Sequence, residues 1–203
     1  MLNKINRPMK KFISLFAVTL LLFVTASCTS CNNEVKKMET MVESTIQSDS
    51  NYMAANYSPD FIFYESDILL NEYLDDENCT GTVYSVTNVF EFVTTVDSTS
   101  YQPTVVLITH TADMFQVKEV QGTWIEDFAI NADDVALTYR QAYKQLMKAN
   151  YPKPHSRNCI LRKPIGPYEC NAQYVFGDIS TPYFVDAVTG NVTNSNPAFN
   201  RRE

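Results

Sequence analysis

The chain has 203 residues, 16 of them basic and 23 acidic, for a formal net charge of −7, and 45% are hydrophobic, with 12 Tyr and 12 Phe. That apolar and aromatic content argues for a folded body and against intrinsic disorder, because burying it can offset the entropy of ordering the chain. The acidic balance argues against a nucleic-acid binder, since phosphate contacts demand clustered positive charge.

The N-terminal stretch carries Lys4, Arg7, Lys10 and Lys11 and no acid. An apolar run over 12–24 follows, then the small residues Thr25, Ala26 and Ser27, then Cys28. A basic n-region, a short h-region and a small-residue cleavage site read as a secretory signal peptide, residues 1–27. The apolar run falls short of the about 20 residues a membrane span needs. Met9 opens the more typical signal start, MKKFISLF. The segment VTASC resembles the lipobox where signal peptidase II cuts bacterial lipoproteins, with Thr25 where that family usually has Leu. Cys31 is the poorer candidate, because Cys28 would then occupy that same position. The resemblance implies cleavage before Cys28, acylation of its sulfur (palmitate among the chains) and a membrane anchor through that lipid. Thr29, where an Asp would signal otherwise, implies the outer membrane of a Gram-negative cell.

Without the leader, 12 basic stand against 23 acidic residues, net −11. Residues 28–131 hold 3 basic and 17 acidic, and residues 132–203 hold 9 and 6. This asymmetry points to two units of different character.

Residues 28–33 read as a tether. From 34 to about 57 the pattern is helical, with Val35, Met38, Val42 and Ile46 on one face. Asp49 and Ser50 are placed to cap a second short turn, and Pro59 ends the helix. Residues 60–74 fit strand or helix. Residues 75–81 form a polar turn. Over 82–96 Tyr84, Val86, Phe90, Phe92 and Val96 alternate at strand period on one face. A turn over 97–100 leads to strands at 105–110 and 115–120. Gln121-Gly122 then turns into a further strand at 123–128. The first half, 34–130, thus reads as an antiparallel meander covered by a helix, NTF2-like or cystatin-like in its weak resemblance and ending in a Gly-x-Trp-Ile element at 122–125.

Asp133 and Asp134 are placed to open a second helix, where acids complement the positive end of the dipole. Val135, Tyr139, Ala142, Leu146 and Ala149 should face a core, while Arg140, Lys144 and Lys148 line another face and are candidates for binding an anionic partner. Pro152 and Pro154 stop the helix. Lys163-Pro164-Ile165-Gly166 suits a type I turn, and a four-residue hairpin loop there would set Cys159 opposite Cys170. An envelope compartment permits the disulfide between them. Strands at 183–186 and 191–193 follow, and 196–203 read as a flexible tail. The expected fold class is α+β, a helix on an antiparallel sheet, in two such units in tandem.

The second unit, 131–195, with a helix led by ADDVALTYRQAYKQL and a closing hairpin PYFVDAVTGNV, resembles a PepSY domain. Asp186, Thr189 and Gly190 occupy the places of its D-A-x-T-G-x-V hairpin. Physically this is a tight turn, Asp186 accepting from nearby backbone N–H groups and Gly190 tolerating φ > 0. The resemblance implies a non-enzymatic module that binds, or inhibits, another envelope protein. No catalytic or metal signature competes with that reading. His110 and His155 have no ligand at metal spacing, a Cys79–His110 or Cys159–His155 nucleophile–base pair is a remote reading, and the run Asp75-Asp76-Glu77 lacks the spaced oxygens of a calcium loop. No cofactor is expected. The alternative is a small-ligand or glycan binder using a pocket in the first half, with Tyr and Phe as stacking surfaces.

Overall fold

A computed structural model describes residues 41–95, 100–125 and 128–200. The signal peptide, Cys28, Cys31 and the tether lie outside the described residues, as do residues 34–40 of the first expected helix. Helix α1 (Met41–Asn56) buries Val42, Thr45, Asp49 and Met53, a stripe stepping by three and four that falls on one helix face. Two of those four residues are polar, so Asp49 is no cap but a core position.

The ambiguous stretch after α1 is strand β1 (Ile62–Leu70), followed by β2 (Val83–Thr95), β3 (Tyr101–His110) and β4 (Phe115–Gln121) as an antiparallel meander. Val86 and Phe90 enter the core, but Tyr84, expected beside them, is exposed. The pairing shifts between Leu69↔Ser85 and Leu70↔Val83, and such an irregularity turns a residue off its expected face. Of the strand expected at 123–128, residues 126 and 127 lie outside the described residues, and the described ones form no strand. Gly122, at φ +124°, turns the chain off the sheet edge, and its N–H donates to the Pro103 carbonyl. The Trp124 N–H donates to a Glu91 carboxylate oxygen at 2.7 Å, and the Ile130 N–H to the Phe63 carbonyl at 2.9 Å. The described residues of this stretch, 122–125 and 128–130, therefore form a strap from the β4 edge toward β1.

The second helix also begins later than the acids imply. Asp134 closes a 3-10 turn, Ala132–Asp134, and accepts the Asn131 N–H at 2.6 Å. The Ala136 and Leu137 N–H groups then bond the Ala187 carbonyl. Helix α2 (Tyr139–Lys148) starts at Thr138, whose hydroxyl accepts the Gln141 N–H while the Gln141 side chain accepts the Thr138 N–H. This reciprocal capping box satisfies two of the donors that a helix start leaves without partners, which acids further upstream cannot do. Asn150, at φ +58°, and Pro152 end the helix.

Strands β5 (Asn158–Arg162), β6 (Gln173–Phe176), β7 (Tyr183–Asp186) and β8 (Val192–Thr193) follow. Here the expected hairpin is corrected. Cys159 pairs with Phe176 and Arg162 with Gln173, so the connection spans 163–172 rather than 163–166. Cys170 lies in that connection, not opposite Cys159, and no Cys159–Cys170 disulfide is present. The physical reason is Lys163. Its buried ammonium sits 3.1 Å from Asp134 and 3.2 Å from Glu169, which draws the connection toward the 3-10 turn instead of letting it close as a tight turn. The tail is corrected too. Pro197–Phe199 forms a 3-10 turn with Ala198 wholly buried, its carbonyl accepting the Tyr168 N–H. Residues 201–203 lie outside the described residues.

Among the described residues all eight strands join one antiparallel sheet in the order β4-β3-β2-β1-β5-β6-β7-β8, so the fold is α+β with sheet predominating. The central pair is β1–β5, with Ser66 opposite Leu161 and Ile68 opposite Cys159. Helices α1 and α2 cover one face. Val42, Met53, Tyr139, Ala142 and Leu146 from the helices share a single apolar cluster with Ile68, Phe90, Ile108, Leu161, Tyr174 and Val185 from the strands. Strand side chains alternate, so the residues between these point to the helix-free face.

Candidate functional site

A groove of about 830 Å³ runs over the helix-free face of the second half. Its floor is Ile160 and Arg162 of β5, Val175 of β6 and Phe184 of β7, each alternating with a core residue of its strand. One wall is the loop over 177–180 and the other is formed by Asn194 and Asn196. The sequence sets both walls locally. Gly177, at φ +103°, starts the first, and a Cβ there would meet the Thr181 carbonyl oxygen at 2.3 Å. Asp178 Oδ1 accepts the Ser180 and Thr181 N–H groups at 2.9 and 3.0 Å and the Ser180 hydroxyl at 2.6 Å. These bonds hold the Asp178 carboxyl below its ordinary range, the Ser180 hydroxyl contributing most. Ile179 thus stands fully exposed on a loop fixed by its neighbours. In the other wall Asn196 accepts the Ala198 N–H and donates to the Ile165 carbonyl. Arg162, on the floor, lies 3.9 Å from Glu65 of β1.

On the opposite, helix-covered face four polar side chains form a relay through the first half. Asp49 of α1 is 1% exposed, and Asn88 of β2 and Ser66 of β1 are fully buried. His110 Nε2 lies 2.7 Å from Asp49 Oδ1, and Asn88 Nδ2 donates to Asp49 Oδ2 at 2.8 Å. The Ser66 hydroxyl donates to Asn88 Oδ1 in a short bond. Burial pushes the Asp49 carboxyl above its ordinary value, against the bonds from Asn88 and His110.

The residues singled out from sequence distribute as follows. Arg140 is half-buried, and its Nη1 donates to the Thr80 carbonyl at 2.5 Å, while Lys144 and Lys148 are exposed. Asp186 Oδ1 accepts the Val188 and Thr189 N–H groups at 2.9 and 2.8 Å, and Gly190 has φ +77°. Burial raises the Asp186 carboxyl, but the Thr189 and Val188 N–H donors and the Asn171 amide outweigh it and hold the group below its ordinary range. His110 meets Asp49 rather than Cys79, whose Sγ lies 3.5 Å from the Tyr143 hydroxyl. His155 stacks on Tyr73 with ring centroids 4.1 Å apart and bonds Asp75, while Cys159 is buried in the core. Among the described residues no three His, Cys, Asp or Glu side chains cluster as metal ligands.

Sequence reasoning missed the groove and the relay. Ile179 between Asp178 and Ser180 carried one usable signal, an apolar residue inside a turn motif. The relay's members are 17 to 22 residues apart in sequence and carried none. No family model, curated protein or solved structure matches the chain.

Proposed function

We propose that this protein is a non-enzymatic lipoprotein of the Gram-negative outer membrane, anchored through acylated Cys28, whose PepSY-like second half binds another envelope protein in the groove on its helix-free face. In this reading the body is two tandem helix-plus-four-strand units fused edge to edge. The mirrored strand order on either side of the β1–β5 pair supports that arrangement. The observation that carries the binding function is the groove itself, an apolar floor of Ile160, Val175 and Phe184 beside a fixed, fully exposed Ile179. Protein interfaces place their strongest contacts on such rigid apolar anchors next to pockets. The chain's own strap supports a polypeptide occupant. On the same face of the first half it engages Glu91 through a backbone N–H.

The second reading is a glycan in the same groove, favoured by the amides of Asn158, Asn194 and Asn196 in its lining. It moves the ligand site from the first half to the second. A photo-crosslinking residue at position 179, introduced into the full chain in intact envelopes, tests the choice. The expected result is a discrete protein adduct, absent from the same residue at position 144 and lost when Val175→Glu places a charge in the groove. Equal labelling at both positions, or none at 179, overturns the protein-binding reading. Glycan-array binding abolished by Val175→Glu would replace it with the second.

A further inference from the structure

On the side of the first half the floor of the groove continues onto β1. Asp67 stands opposite Ile160 and Glu65 opposite Arg162, and residues directly opposite on antiparallel strands share a face. Glu65 is buried and lies 3.9 Å from Arg162, so the cation of the floor already faces a carboxylate. Asp67 differs. Its other cross-strand neighbour is Thr87, whose hydroxyl is bonded to that of Thr109 at 2.9 Å. Among the described residues no hydrogen bond or ion pair engages the Asp67 carboxylate. The side chain reaches solvent, yet the flanking strands withdraw the carboxyl from water enough to hold it above its ordinary value. Asp178 adds a further carboxylate on the groove wall, its Oδ1 occupied by its own loop. The groove and its β1 border thus set three carboxylates, Glu65, Asp67 and Asp178, against the single guanidinium of Arg162. Residues 28–131, with 17 acidic and 3 basic side chains, extend that negative field.

We propose that the groove selects a polypeptide segment carrying a lysine or arginine beside an apolar side chain, the cation seated on Asp67 and the apolar group against Ile160, Val175 and Ile179. This rests on the groove's binding a polypeptide, and it names the chemistry of that partner. Apolar contact alone accepts any segment of about the right shape, because it is non-directional. The carboxylate beside it adds discrimination. A basic side chain gains an opposite charge there, an acidic one meets a like charge, and a neutral one leaves Asp67 unmatched as water is displaced. A docked cation also favours the ionised carboxylate that partial burial disfavours. At longer range the acidic first half draws basic segments toward this face and repels acidic ones.

Panning a random heptapeptide library on the immobilised full chain tests this. The selected peptides should carry Lys or Arg within two residues of Leu, Ile, Val or Phe. The affinity of such a peptide should fall about tenfold in Asp67→Asn, the effect of losing one closely matched interfacial charge pair, and should weaken as salt is raised. Asp67→Lys should reverse the charge preference and select Asp or Glu beside the same apolar residues, a switch that a merely structural role for Asp67 would not produce. Asp113→Asn, which removes an exposed carboxylate in the β3–β4 turn, should leave the selection unchanged. Val175→Glu should abolish it. Apolar peptides without a basic residue, selected by the unmodified chain and lost in Val175→Glu, would overturn this inference and leave the groove as a polypeptide site. A basic preference that survives Asp67→Asn would do the same. No selected peptide at all, or a selection indifferent to Val175→Glu, would overturn the groove as a polypeptide site and this inference with it.

Discussion

At Gly166 an added Cβ would lie 2.5 Å from the Ala198 Cβ and 2.7 Å from its carbonyl oxygen. Only a residue without a side chain lets the tail seat here, and the tail carries Asn194 and Asn196 of the groove wall. Gly166→Ala should therefore push Pro197–Phe199 away and destabilise the fold by about 1–3 kcal/mol, the usual cost of overpacking. Urea unfolding measures that cost, and chemical shifts of Asn194 and Asn196 report the wall. A variant as stable as the parent with unshifted asparagines would show that the tail is not seated on Gly166. Asp186 works differently at the same scale. It organises the β7–β8 turn by accepting N–H groups two and three residues ahead, a local device that needs no distant partner.

Among the elements, α2 is the most dependent on its ends. It spans only Tyr139–Lys148, a length marginal in isolation, so its capping box at Thr138 and its buried face of Tyr139, Ala142, Tyr143 and Leu146 must hold it together. Thr138→Ala should cost about 1 kcal/mol and lower the melting temperature by a few degrees. A melting curve superimposable on the parent's would mean the cap is dispensable. The basic stripe is also resolved at this scale. Arg140 belongs to the contact between α2 and the loop around Thr80, with its guanidinium 5.6 Å from the Tyr143 ring centroid, whereas Lys144 and Lys148 are solvated. The three do not form one uniform docking face.

For the whole molecule the decisive joint is β1–β5. Through it, and through Glu43 of α1 accepting the first N–H of α2 at 2.6 Å, both halves share one sheet and one apolar cluster. The described residues all lie within one compact unit. Unfolding should accordingly be a single cooperative transition, although the charge asymmetry divides the sequence in two. Leu161→Ala, at the joint and fully buried, should lower the stability by about 2–5 kcal/mol while keeping one transition. Calorimetry that separated two transitions, with only one shifted, would show the halves to be independent.

The sequence by itself determined the local features, because periodicity and turn chemistry act over a few residues. It located α1 to its proline stop, the meander of β2 to β4, and the Asp186–Gly190 turn, and left β1 open between two states. It could not locate the start of α2, because acids at 133–134 and a capping box at 138 compete in one stretch and only packing against Ala187 chooses between them. Tertiary structure alone decided the β5–β6 register, where a buried Lys163 outweighed a plausible tight turn and so separated Cys159 from Cys170. It alone assembled the groove from three strands and a tail, and set Asp49 against His110 across 61 residues of chain. Contacts of that kind depend on which faces meet after folding, and no local pattern records them.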